Sequence, residues 1–174
     1  AVKLDAAKEK DTTKEAAFLL EVREAKTGGS VGPLKAFLEK FGDTPEAWEI
    51  HMALIDVLSK RKDELNQIPS WEYLMEREPK AERRNGLAWA LSRSNRENER
   101  ALSLVEEALK EEPENPAYMD TKAECLSRLG RHEEAVDLER KAIGKLSGST
   151  PRDQREDYDE HLKEIEKRRD EAKK

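Results

Sequence analysis

Cysteine is nearly missing from this chain: Cys125 stands alone among 174 residues. One thiol cannot form an internal disulfide, and no histidine is placed beside it to activate it or to share a metal. Buried filler is its expected role. No run of residues approaches the roughly 18 apolar positions of a membrane span, so no membrane insertion is expected, and no signal peptide is visible. The chain opens on Ala1 rather than methionine. Something upstream is therefore expected to have been removed: a signal peptide, a neighbouring domain or only the initiator. A soluble protein of the cytoplasm or the periplasm fits these features. A basic surplus is also lacking, since 33 basic and 39 acidic residues leave a net charge of −6. Short basic clusters such as Lys60-Arg61-Lys62 and Lys167-Arg168-Arg169 sit among acids, so nucleic acid is not expected as a partner.

Catalytic signatures are missing too. Gly28-Gly29 lacks the lysine and the strand-to-helix context of a phosphate loop. Acidic neighbours such as Glu106-Glu107 and Glu111-Glu112 point apart on a helix and make no acid–base couple. No nucleophile motif is present. The sequence therefore predicts no catalytic residues, no cofactor and no metal ligands. His51, His132 and His161 are isolated. Only His161, with Asp157 and Glu164 on one helical face, has the spacing to attract a metal; such a trio on a charged helix reads as a solvated face.

What the chain does have is a period. Leu34, Ile68, Leu102 and Val136 follow one another at intervals of 34 residues, as do Phe41, Met75, Leu109 and Ile143, and the prolines Pro45, Pro79 and Pro113. A 34-residue period marks stacked helix–turn–helix units that bury their apolar faces only against neighbours. Charged residues at 41% and apolar residues at 36% suit such a stack, with its thin core and solvated exterior. Fixed apolar offsets argue against disorder.

The last two units are clearest. Ala101, Ala108 and Leu109 recur as Ala135, Ala142 and Ile143 at an offset of 34, and Ala88 and Leu91 recur as Ala123 and Leu126 at 35. The extra residue belongs in the turn around Ser94 to Glu99. Short alanine side chains let helices cross closely. Asn115 is the expected N-cap ahead of Pro116, Gly130 the C-terminal turn, and the following helix runs from about His132 to Lys145. In the preceding unit, Asp43-Thr44-Pro45 is expected to cap a helix with Trp48, Met52 and Ile55 on its apolar face, and Trp48 and Trp71 are expected in the core. Its turn, Arg61 to Leu65, leads to a helix from about Pro69 to Glu78, and just ahead of it Gln67 stands where the later units have alanine. Farther upstream, Ala16, Ala17 and Leu20 suggest a first helix and Leu34, Phe37, Leu38 and Phe41 a second, joined by a long flexible turn at Thr27-Gly28-Gly29-Ser30. The resulting boundaries are a frayed 1–11, a divergent unit 12–43, units 44–78, 79–112 and 113–146, and a charged helix 151–174, all within one domain. Tyr158, Leu162 and Ile165 form a narrow stripe on that last helix, as a cap over the preceding unit would need.

With these offsets in place, Asn115 to Ile143, and Leu87-Ala88-Trp89-Ala90-Leu91 followed by Ala101, Ala108 and Pro113, resemble tetratricopeptide repeats, in the form common in bacterial proteins. Lys122 and Glu139 depart from the pattern, standing where leucine and an aromatic are usual. The resemblance implies an all-α fold, a right-handed superhelix of about three to four helix pairs closed by a C-terminal capping helix. It implies a protein partner, a peptide or helix lying in a concave groove. The implied groove positions are Ala117, Asp120, Glu124, Ser127 and Arg128 in the last unit, Glu82, Asn85, Trp89, Ser92 and Arg93 in the third, and Glu46, Glu49, Ala53, Asp56 and Val57 in the second. Of these, Asn85, Trp89, Arg93, Asp120, Glu124 and Arg128 are the candidate partner-binding set, with Trp89 beside Arg93 as the anchor; Trp89 packed against a neighbouring unit is the alternative. Glu49 and Ala53 stand where a carboxylate clamp would need a cation and an amide, so that form of binding is not expected. A scaffold or adaptor is the function this implies. An accessory domain of a larger protein, packing on its own chain or self-associating as a homodimer, is the second reading, and a nucleic-acid-binding helical repeat the third.

Overall fold

The computed structural model describes residues 19–20 and 22–174, and all regular structure among them is helical. After helical residues 22–28 (α1) come α2 (Gly32–Phe41), α3 (Ala47–Lys60), a short 3-10 turn (Leu65–Gln67), α4 (Ile68–Arg77), α5 (Ala81–Arg93), α6 (Asn98–Glu111), α7 (Pro116–Arg128), α8 (His132–Lys145) and α9 (Arg152–Ala172). Contacts gather into two compact units, one reaching to Asp63 and one running from Glu64. The division falls within the stretch 44–78 that the period assigns to a single unit.

In the first unit, Val22 and Ala25 of α1 pack with Leu34 and Phe37 of α2 and with Ile50, Leu54, Val57 and Leu58 of α3. Three expectations are corrected here. Of the expected row, Ile55 is buried, but Met52 is 36% exposed and Trp48 only half-buried; the face packed in the cluster is Ile50, Leu54, Val57 and Leu58. The turn after α1 is tight, not long: α1 runs through residue 28, Gly29 takes φ +69°, and the Ser30 amide donates to the Ala25 carbonyl at 2.9 Å. Glycine suits that left-handed position. Thr44 does not cap α3; its hydroxyl donates back to the Phe41 carbonyl at 2.9 Å, and α3 starts after Glu46 without a side-chain cap. Of the residues expected in the first helix, Leu20 is 57% exposed, and Ala16, Ala17 and the expected frayed stretch 1–11 lie outside the described residues.

In the second unit the small-residue ladder is realised. Ala88, Ala101, Ala108, Ala123, Ala135 and Ala142 have no exposed surface, and around these crossings Leu87, Leu91, Val105, Leu126 and Val136 fill one core. Close approach at the alanines leaves no gap, which is why a larger side chain there costs stability. Asn115 caps α7 by accepting from the Ala117 amide at 3.0 Å, and Gly130 ends the turn after it at φ +80°. The additional residue before α6 is accommodated by two left-handed positions, Asn95 at φ +54° and Glu97 at φ +43°. Gln67 is buried and accepts from the Trp71 indole at 3.3 Å. Trp71 itself is partly buried, laid against the backbone of α5 at Gly86, where a Cβ would come within 2.6 Å of the indole. Lys122, on the face where leucine is usual, pairs with Glu106 at 2.8 Å.

The last helix, α9, packs on α7 and α8. Tyr158, His161 and Ile165 are its buried residues, with Leu162 half-covered beside the core. The acids early and bases late along α9 also oppose its macrodipole favourably. No helix among the described residues is long and apolar enough to cross a membrane.

Candidate functional site

Asp120, Glu124, Ser127 and Arg128 lie along α7, four positions on one side of a helix. In this structure α9 lies across them. His161 Nδ1 meets Asp120 Oδ1 at 2.5 Å, and His161 Nε2 meets Glu124 Oε2 at 2.9 Å. About two turns further along α9, Arg168 donates to Glu124 Oε2 at 2.7 Å and to the Ser127 hydroxyl at 2.9 Å. Arg128 closes the other side of Glu124, donating to Oε1 at 2.8 Å. Glu124 is fully buried, so it depends wholly on these donors.

The electrostatics follow from that burial. Burial opposes charge on Glu124, but hydrogen bonds from His161 and Arg168 outweigh it and hold the carboxyl well below the usual carboxylate range. Burial alone would lower the His161 value; the hydrogen bonds to Asp120 and Glu124, with the Glu139 carboxylate close by, raise it to about 11. His161 is therefore an imidazolium at neutral pH, donating from both nitrogens. The expectation of a solvated His161 face with Asp157 and Glu164 is corrected: the ring is 6% exposed and turned inward to α7. Glu139 of α8 completes the cluster with Oε2 at 3.6 Å from His161 Nδ1, and burial first of all pushes its carboxyl up to about 7.

The α5 positions border the same cluster. Trp89 is half-buried, its ring edge-on to His161 with centroids 5.5 Å apart, and the Arg93 guanidinium lies 5.4 Å from the Trp89 ring centre. Arg93 also donates to Glu164 of α9 at 2.7 Å. For Arg93, burial works downward, yet the Glu164 hydrogen bond and the charge of Glu124 leave its value raised. Asn85 is half-buried, and its Oδ1 is shielded without a hydrogen-bond partner. Four of the six candidate residues, Trp89, Arg93, Asp120 and Glu124, thus meet α9, Arg128 pairs with Glu124 beside them, and Asn85 lies one turn before Trp89 on α5. Sequence reasoning missed the α9 partners, His161, Arg168 and Glu164, and missed Glu139 as a cluster member. The one signal for Glu139 was its charge at a position where an aromatic is usual.

The first unit carries an open cleft of about 440 Å³ lined by Lys26, Trp48, Glu49, Met52, Ala53 and Asp56. Cys125 is buried and free, and burial pushes its thiol up to about 12, which leaves it unreactive.

Residues 85–150 match the sequence profile of the tetratricopeptide repeat. No curated protein matches the chain. Among solved structures, a mutant of MamA is similar over 75% of this chain and 76% of its own, at 22% identity and a TM-score of 0.57. The P58(IPK) TPR domain is similar at 15% identity and a TM-score of 0.55, over 87% of this chain but 45% of that one, so this chain spans less than half its length. Identities this low speak to the fold alone. Residues 85–150 thus match the tetratricopeptide repeat, and the chain has an all-α fold like that of tetratricopeptide-repeat structures.

Proposed function

We propose that the chain is a non-catalytic scaffold or adaptor that binds a peptide or helix of a partner protein. Repeat folds of this class present extended surfaces and serve in general as protein-interaction scaffolds. The observation that carries the reading is α9 itself: the implied groove positions of α7 receive a mixed-charge helix through Asp120, Glu124 and Ser127. A surface that complements one such helix is suited to another. Asn85, Trp89 and Arg93 are proposed to meet the partner, while Asp120, Glu124 and Arg128 hold α9 as the adjoining wall.

The test is cross-linking from a photoreactive residue at position 85 in the full chain, followed by titration of the captured partner. Trp89→Ala is expected to weaken binding by about tenfold or more, as truncation of an interface aromatic does. If both Trp89→Ala and Arg93→Ala bind with unchanged affinity, this site assignment fails. A second reading, self-association, is favoured by the exposed apolar side chains Leu19 at 44% and Leu20 at 57% in the first unit; sedimentation across a concentration range separates it from the first.

A further inference from the structure

The cluster under α9 contains a feature that its hydrogen bonds leave unexplained. Glu139 has no exposed surface, yet neither of its carboxylate oxygens has a hydrogen-bond partner. A buried carboxylate left without donors is costly, and native proteins seldom carry one without a reason. Its side chain is aimed at Asp120 and His161. One ligand atom from each of these three residues lies within 4.8 Å of the other two. The three come from three different helices, α8, α7 and α9.

The donor set has the composition of a cation site. One imidazole nitrogen and two carboxylate oxygens suit Zn²⁺, which takes nitrogen at about 2.0–2.1 Å and oxygen at about 2.0–2.2 Å. Those bond lengths put tetrahedral donors roughly 3.4 Å apart. His161 Nδ1 and Glu139 Oε2 already stand 3.6 Å apart, and Asp120 Oδ1, at 2.5 Å from Nδ1, has to back away by less than the length of a bond. The outer partners fit as well. A metal-bound histidine commonly donates its other ring N–H to a carboxylate, which fixes the tautomer. Here His161 Nε2 lies 2.9 Å from Glu124 Oε2, and Glu124 is itself held by Arg168 and Arg128. Two carboxylates balance a divalent charge. The imidazole disfavours Ca²⁺ and Mg²⁺, which prefer all-oxygen sites.

We propose that Asp120, Glu139 and His161 bind a single first-row divalent cation, best matched by Zn²⁺, which fastens α9 to α7 and α8. The ion takes the place of the proton that Nδ1 shares with Asp120. This inference is independent of the partner-binding reading, since it concerns the buried side of α9.

The experiment is a Zn²⁺ titration of the chelator-stripped full chain against a competing chromophoric chelator, with Co²⁺ absorption as a second readout of coordination. Wild type is expected to bind one ion per chain, and Zn²⁺ to raise its melting temperature. Glu139→Gln and Asp120→Asn are each expected to lower affinity by about tenfold or more, and Glu124→Gln by about 10–100-fold through the outer shell. Cys125→Ser and His132→Asn are expected to leave it unchanged. Absence of saturable one-to-one binding in wild type overturns the proposal. So does wild-type affinity retained in both ligand variants. Should Glu139→Gln lose helix content, Asp120→Asn decides.

Discussion

Glu124 concentrates more interactions than any other single residue of the candidate site. It is fully buried and accepts from His161, Arg168 and Arg128, with Arg93 3.7 Å away. Removing one member of a buried charge network strands the others. Glu124→Ala is therefore expected to destabilise the second unit by about 3–5 kcal/mol, measured by urea unfolding. Replacement by glutamine is expected to cost less, because the amide oxygen still accepts. A rise or no change in stability for Glu124→Ala would contradict the network described. Gly86 poses a simpler case. A methyl there meets the Trp71 indole at 2.6 Å, so Gly86→Ala is expected to cost about 1–3 kcal/mol despite its gain in helix propensity. In a Trp71→Leu background the same substitution is expected to be close to neutral. A double-mutant cycle reads the difference.

At the level of helices, α9 is docked by titrating groups, and its hold varies with pH. The groups facing one another are Asp120 and Glu124 on α7, Glu139 on α8, Arg93 on α5, and Tyr158, His161, Glu164 and Arg168 on α9. The folded value of His161 is raised from 6.5 to about 11, so its contribution is complete below the lower figure and drains away as pH rises through the higher. Glu139 behaves likewise between 4.5 and about 7. Glu124 has a lowered value, so its contribution is present above 4.5 and is lost as pH falls further. With chelator present, the melting temperature is expected to fall as pH is raised from about 5 to about 9. Glu139→Gln is expected to flatten the first half of that decline while leaving the second. A melting temperature that rises through neutrality would contradict these assignments. Little of this was legible in the sequence. The alanine crossings could be read because each recurs at a fixed interval and each is explained by a neighbouring helix. His161 meets Asp120 across 41 residues and Glu124 across 37, with no repetition to reveal it. On a tail nearly all charged, an inward histidine looks like an outward one. Thr44 misled for a related reason, since a hydroxyl between two helices can serve either, and here it serves the one behind it.

For the molecule as a whole, the division after Asp63 predicts more than one unfolding step. The first unit rests on one small cluster around Leu34, Phe37 and Leu54, whereas the second has the larger core around Leu91, Val105 and Val136. Residues 64–174 expressed alone are expected to keep native helicity and a cooperative transition, checked by circular dichroism and amide exchange. Loss of both would show that the second unit depends on the first. The repeat period made the helix pairs readable across both units, but it is blind to where cohesion weakens. A regular ladder at Ile68 and Leu102 says which residues turn inward, not how much area each neighbour covers.

The outward side of α9 also sets a limit on assembly. It presents Asp157, Glu160, Lys163 and Lys167 to water, while its inward side packs with the clusters that hold Val136 and Ala142. An array of identical-looking pairs is by construction a growing end, ready to accept one more copy and then another. Because α9 is apolar on one flank only, its outward side offers no apolar face on which a further helix pair could bury itself.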